Sequence, residues 1–325
     1  MTREEVLNSI ALKKRFCKDC NLPIVVFDNP YFYERLCILD SLYGCVKKFE
    51  DFCLELENYT HDEAYLAEYN AVKDMIIEAL KANVYFQEFN NTQFNKPTVN
   101  VGKRNLYVEQ NDGGLFFSID MKKANFSALR HYNKEIFVGC ETWEEFVGRF
   151  TSSKHMAKSK YIRQVVLGAC NPKRQIQYEN YLMTILYLHI KESIGDENFE
   201  VYSLGEDEII ITIKNPNEPP KYEFNFGVNK MKEIIHSCPF GIGELVRLDM
   251  FELFKVQGTD GWTKTYYEQS ESGKAGTVEF KCLDAEIFHQ IIKHYNGETI
   301  TENDLVFYHN GQLARFLKEV NNPWE

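Results

Sequence analysis

Between Val201 and Ile213 the chain reads Val-Tyr-Ser-Leu-Gly-Glu-Asp-Glu-Ile-Ile-Ile-Thr-Ile, two apolar, β-branched runs around a turn that holds Gly205, Glu206, Asp207 and Glu208. Such a stretch folds as a strand, a tight turn and a second strand. The tip of a hairpin normally carries Asn-Gly or Asp-Gly, whose backbones tolerate the turn. Three consecutive carboxylates repel one another there and add nothing to the fold. A divalent cation bound by oxygen ligands would compensate them. The competing reading is a solvated acidic tip in a chain of formal net charge −11.

The remainder of the chain offers this hairpin a large core. A hydrophobic share of 44% with 19 Tyr and 24 Phe is that of a globular protein, and the rings also suit base stacking. No apolar run is long enough to span a membrane and the first residues do not form a signal peptide, so the expected protein is soluble, intracellular and cytoplasmic. Nine cysteines, an odd number scattered through apolar contexts, predict reduced thiols rather than a disulfide framework. Cys17-Lys-Asp-Cys20 has the spacing of half a zinc or redox site, but no second Cys-x-x-Cys follows it. The acidic balance argues against a protein that coats nucleic acid over its whole surface, and leaves room for a local basic site.

In chain order, residues 1–95 read as a helical region, with apolar residues at three- and four-residue spacing from Tyr31 to Phe89 and an extended Leu22–Phe27. Asn90–Thr98 is a turn-rich boundary. A strand pair is predicted at Asn105–Glu109 and Leu115–Asp120, the second nearly all apolar and closing on an aspartate. Thr142-Trp-Glu-Glu145 is a capping-box pattern that opens a helix to Phe150. Beyond the hairpin come a Pro-rich loop at Asn215–Pro220, a helix from Phe224 to Cys238, and strands at Leu245–Val256, Trp262–Glu268 and Thr277–Leu283. A Gly/Ser tip at Ser270–Gly276 separates the last two, and a short helix follows at Ala285–Tyr295.

Residues 146–178 hold seven cations (Arg149, Lys154, Lys158, Lys160, Arg163, Lys173 and Arg174) and no acid. Asn171-Pro172 within this window predicts the start of a helix of about twenty residues. Lys173 and Arg174 would then stand at a helix N-terminus, where cations are unfavourable unless an anion is bound. A phosphate site is the reading preferred here; the alternative is that both side chains reach away to solvent or to the acidic hairpin.

If the strands ending at Asp120 and starting beyond Asp207 are neighbours in one antiparallel sheet, their carboxylates share an edge. That edge could hold two divalent ions for phosphoryl transfer, Mg²⁺ (or Mn²⁺) being the natural choice for oxygen ligands and substrate phosphates. Here the sequence resembles the palm-domain nucleotidyltransferases. Phe116-Phe-Ser-Ile-Asp-Met-Lys-Lys-Ala-Asn-Phe126 is similar to the first palm motif of reverse transcriptases, with an extra Asn125 and with Ser127 where a second Asp is usual. Its Ser-x-Asp start, with the later Leu129-Arg130, also resembles family A DNA polymerases. Leu204-Gly-Glu-Asp-Glu-Ile-Ile210 is similar to the acidic hairpins of reverse transcriptases and family A polymerases, and to that of diguanylate cyclases with Glu206 and Ile209 as departures.

The resemblance covers residues 105–256 and implies there an antiparallel palm-like, ferredoxin-like core with covering helices; with the helical N-terminal region (1–95) and a β-rich extension with hairpins and short helices (257–325) read from the residue patterns, the expected fold is α+β. It implies catalytic Asp120, Asp207 and Glu208, metal ligands drawn from Asp120, Asp207, Glu206 and Glu208, and phosphate contacts from Lys122, Lys123, Lys160, Arg163, Lys173 and Arg174. Nucleoside triphosphates would be the substrates, with a nucleic-acid primer or template. Residues 1–95 would be free for a protein partner. A cyclic mono- or dinucleotide synthase is the second reading, and an inert palm-like scaffold of viral or phage type the third.

Overall fold

A strand buried on both faces must be paired on both edges, and the run Gly114–Met121 is such a strand: Phe116, Phe117, Ser118 and Ile119 are all buried. The computed structural model describes residues 1–102, 104–213, 224–267 and 275–320. In it, six strands form one sheet: β1 (Gly114–Met121), β2 (Phe199–Leu204), β3 (Glu208–Ile213), β4 (Val246–Lys255), β5 (Trp262–Tyr267) and β6 (Ala275–Lys281). Their order is β2-β3-β1-β4-β5-β6, and each neighbouring pair is antiparallel.

Between β1 and β2 the chain makes helices, the last and longest of them Pro172–Ile194; between β3 and β4 it makes the helix Phe224–His236. The succession strand-helix-strand-strand-helix-strand with spatial order 2-3-1-4 is the ferredoxin-like, split βαβ arrangement. The fold class is therefore α+β, with an antiparallel sheet behind a helical N-terminal region. β5 and β6 extend the same sheet, so a line drawn at residues 256/257 falls between two paired strands.

The helices cover one face of the sheet. Phe117, Ile119 and Met121 of β1, Ile209 and Ile211 of β3, and Val246, Leu248 and Met250 of β4 all face them in a core that runs from Val6 to Val320. The opposite face carries a smaller cluster, Phe116, Ile210, Phe251, Leu253 and Trp262, roofed by Leu106 and Tyr107. The end of this second face, where β1 finishes and β3 and β4 begin, is polar: Ser118, Asp120, Glu208, Arg247 and Asp249 lie there.

The N-terminal region is six helices: Arg3–Asn8, Ile10–Asp19, Tyr31–Tyr43, Cys45–Leu56, Asp62–Ala82 and Val84–Asn91. Leu22–Phe27 is extended without strand pairing, and all nine cysteines are free thiols, Cys17 buried among them. Among the described residues, no helix is long and apolar enough to cross a membrane.

Two local expectations are corrected. Asn105–Glu109 is not a strand: β3 and β4 already occupy both edges of β1, and the Asn111 side chain donates to the carbonyls of Asn105 and Leu106 (3.2 and 2.8 Å), fixing a bend. The helix begun at Thr142 ends at Val147, and its box is half closed: Thr142 Oγ1 accepts from Glu145 N, but Glu145 accepts from Glu141 N. Val306–His309 and Gln312–Arg315 pair as a separate hairpin, in keeping with the hairpins expected in the C-terminal extension. The Pro-rich loop, most of the Gly/Ser tip and the final residues 321–325 lie outside the described residues.

Candidate active site on the open face of the sheet

Pairing register places the acids. Asp120 of β1 stands directly opposite Glu208 of β3 on one side and Arg247 of β4 on the other. Ser118, two residues back on the same face, stands opposite Asp249. Because side chains of directly paired residues share a face, Asp120, Glu208 and Asp249 form one carboxylate row across three strands. Asp207 precedes β3 at the exposed turn, and its carbonyl accepts from Met121 N (2.8 Å), which pins the turn to the end of β1. Gly205 N donates to Glu208 O at 2.8 Å and closes the turn. Glu208, rather than Asp207, is thus the direct partner of Asp120.

The row is short of positive charge. Burial pushes the Asp120 carboxyl up to about 6, aided by the negative charge of Glu208, opposed by Arg247, and aided again by Asp207 and Asp249. Arg247 bonds Asp249 through Nε and lies 3.8 Å from Asp120 Oδ2. Glu208 Oε1 accepts from Ser118 Oγ (2.6 Å) and lies 3.4 Å from the Nζ of Lys264, a buried lysine that rests on the Phe251 ring.

A hard divalent cation suits these oxygen donors chemically. The present arrangement is more open than a closed cation cage: among the described residues no three His, Cys, Asp or Glu side chains converge on one point. Serine and lysine hold Glu208, and arginine holds Asp249. An ion would have to displace those contacts.

Glu179, on the long helix beneath the hairpin, is a second acidic element. It is buried, one carboxylate oxygen has no hydrogen-bond partner, and burial raises its carboxyl to about 7, reinforced by Asp207 and Glu206 and opposed by a hydrogen bond from Asn125. The extra asparagine of the 116–126 motif therefore serves this glutamate. A carboxyl whose folded pKa is raised stabilises the fold below its ordinary pKa of 4.5 and loses that contribution as the pH rises through about 7. Glu179→Gln is expected to stabilise the fold by roughly 1–3 kcal/mol at pH 8 and by little at pH 5, read from denaturant midpoints at the two pH values. An equal effect at both would show that the Glu179 carboxyl has the same pKa folded and unfolded.

The basic residues are divided. Lys122 and Lys123 follow Asp120 directly; Lys123 has a left-handed backbone (φ 48°) at the start of the helix Ala124–Tyr132, and its Nζ pairs with Glu144 at 2.6 Å. Lys122 Nζ reaches the Glu244 carbonyl at 3.3 Å. Burial lowers the Arg163 guanidinium pKa, and the negative charge of Glu144, the partner of Lys123, opposes that shift. The structure takes Lys160 to a cleft against the N-terminal helices instead. It also turns Arg174 away: the guanidinium lies 4.7 Å from the centre of the Phe94 ring and bonds Phe89 O and Gln177. Lys173 is exposed beside it, and Asn171, though at the N-cap position, makes no side-chain cap.

Sequence reasoning missed Asp249, Arg247, Lys264, Ser118 and Glu179. Arg247 and Asp249 did leave a signal, two charges in phase at the start of an otherwise apolar strand. Glu179 is the first acid after the acid-free window. In sequence, the chain matches no protein-family model and no curated protein.

Proposed function

We propose that the chain is a divalent-metal-dependent nucleotidyltransferase that uses nucleoside triphosphates, and that it extends a nucleic-acid strand. The observation that carries this reading is the row Asp120–Glu208–Asp249 at the polar end of a ferredoxin-like sheet, one acid from the end of β1, one from the start of β3 and one from β4. Asp120 and Glu208 would hold Mg²⁺ or Mn²⁺, with Asp249 as a third ligand and Asp207 beside them. Bound there, the metal would activate the attacking hydroxyl and neutralise the departing pyrophosphate. Arg247, more than half exposed at the rim of the row, is placed to meet a phosphate once its carboxylates are otherwise engaged. Lys123, flanking the row through the loop after β1, is a second candidate. Lys264 stays buried and holds Glu208 in place.

A second reading has its own support: Arg247 and Lys264 already pair with the acids, which suits an inert ion-pair network on an interaction surface. Incubating the full chain with labelled nucleotides, Mg²⁺ or Mn²⁺ and a primed template separates the readings. A ladder of lengthening strands that chelation abolishes is expected. A single small cyclic product would assign a cyclase. No product with any nucleotide or metal would leave the inert network.

A further inference from the structure

Most of the acid-free window is not used by the acidic row. Lys154 and Lys158 lie on the short helix Lys154–Lys158 and Lys160 opens the next, Lys160–Gly168. All three are exposed, and with Lys48 of the helix Cys45–Leu56 they line a cleft of about 720 Å³ between the N-terminal helices and this segment. The acids on the same walls are committed elsewhere. Asp51 pairs with Lys47 at 2.8 Å, and Glu55 accepts from Ser153 Oγ and His155 N. Asp19 is buried and takes bonds from Tyr69 (2.5 Å), Ser159 (2.5 Å), His155 (3.0 Å) and Arg15 (3.1 Å). Lys48 reaches the Tyr43 carbonyl.

The wall that presents the lysines is firmly held. His155, between Lys154 and Lys158, packs on Phe52 (ring centres 4.4 Å apart) and is tied to Asp19, while Ser159, just before Lys160, bonds the same carboxylate and caps the following helix. In a chain of net charge −11, uncompensated lysines gathered in one cleft, with every neighbouring acid engaged, call for an external anion. One turn beyond Lys160 on the same helix face is Arg163, within the electrostatic reach of Glu144, which pairs with Lys123 three residues past Asp120.

We propose that this cleft binds successive backbone phosphates of a single nucleic-acid strand through Lys154, Lys158, Lys160 and Lys48, and leads the strand toward Asp120. The choice of a strand rests on the transfer reaction proposed above; the cation row does not. Nothing in the cleft selects a base, so binding is electrostatic and independent of sequence.

The test is fluorescence anisotropy of a labelled single-stranded oligonucleotide on the full chain, with chelator present and no nucleotide, across about 50 to 200 mM salt. Lys154→Ala/Lys158→Ala/Lys160→Ala is expected to weaken binding at least tenfold and to flatten the log–log salt slope by about 2, three contacts at roughly 0.7 each. A control triple at exposed lysines elsewhere, Lys81→Ala/Lys134→Ala/Lys230→Ala, carries the same charge change and should move both by less than twofold. Circular dichroism checks that both triples fold; if the cleft triple does not, Lys160→Glu alone must weaken binding. No binding by the wild-type chain, or equal losses in the two triples, overturns the proposal. So does pyrophosphate binding that the cleft triple abolishes while strand binding persists, which would make this a free-phosphate site. Because the binding assay needs no metal or turnover, failure of the transfer reaction is read separately.

Discussion

Asp120→Asn is expected to lower nucleotide incorporation by at least about 10³-fold, the loss of several kcal/mol of metal-borne charge stabilisation, while the protein folds as before. The substitution keeps the shape of the side chain and removes one charge from a row in which Asp120 is already pushed up to about 6 by burial and by its acidic neighbours. Stability should therefore hold or rise slightly, since the folded state loses a repulsive partner of Glu208 and Asp249. Activity and stability moving in opposite directions mark a residue kept for chemistry rather than for folding. The inert-network reading expects the reverse. With Asp120 serving only to bind Arg247 at the surface, Asn would change stability by at most about 1 kcal/mol and leave any activity intact. Incorporation by the variant within tenfold of wild type, in Mg²⁺ or Mn²⁺, would remove Asp120 from the catalytic machinery.

The parts of the fold legible in the sequence were those with unbroken periodicity. The hairpin at 199–213, the apolar β1, the alternating β4 and the helix Pro172–Ile194 lie close to where their patterns placed them. Register was not legible. Both Asp207 and Glu208 sit at the turn, and only the pairing of Asp120 with Glu208 reveals which carboxylate shares its face. Asp249 was hidden for the same reason, since β4 had to be known as the second neighbour of β1 before its charges became part of the row. The Asn105–Glu109 run shows the limit of local pattern: its alternation suits a strand, but the edges of β1 were taken. For the basic window, composition revealed the segregation of charge and not its direction. Helix phase and tertiary packing divide the window, turning Arg174 onto Phe94, Arg163 to Glu144 and Lys160 into the cleft.

Asp304→Ala is expected to destabilise the fold by about 3–5 kcal/mol, the penalty for stripping the partner from buried charge. Asp304 joins the end of the chain to its beginning. Its carboxylate lies 3.6 Å from the buried Arg35 on the helix Tyr31–Tyr43 and 2.8 Å from Lys293, and accepts from Thr301 N and Oγ1, both at 2.8 Å. His289 Nε2 and Gln290 Nε2 share its backbone carbonyl. Alanine leaves two cations facing a gap, one of them already carrying a buried Nε without a partner. Arg35→Met should cost less than half as much, because Asp304 keeps Lys293 and Thr301 and the methionine refills the volume. Acid reaches the same weakness in the wild-type chain. Burial pushes the Asp304 carboxyl up, but bonds from Lys293 and Thr301 outweigh it and hold it below its usual value, so its contribution, present above about pH 4, is lost as the pH falls through the lowered value. His289 adds an earlier loss: burial, aided by Arg35, drops its imidazole to about 4, so stability declines as the pH falls from about 6.5 toward that value. Urea midpoints for the three proteins at pH 7, pH 5 and pH 3, at constant m, measure both effects. A loss under about 1 kcal/mol for Asp304→Ala would mean that the C-terminal segment opens independently of the N-terminal helices, and that Arg35 is solvated when it does.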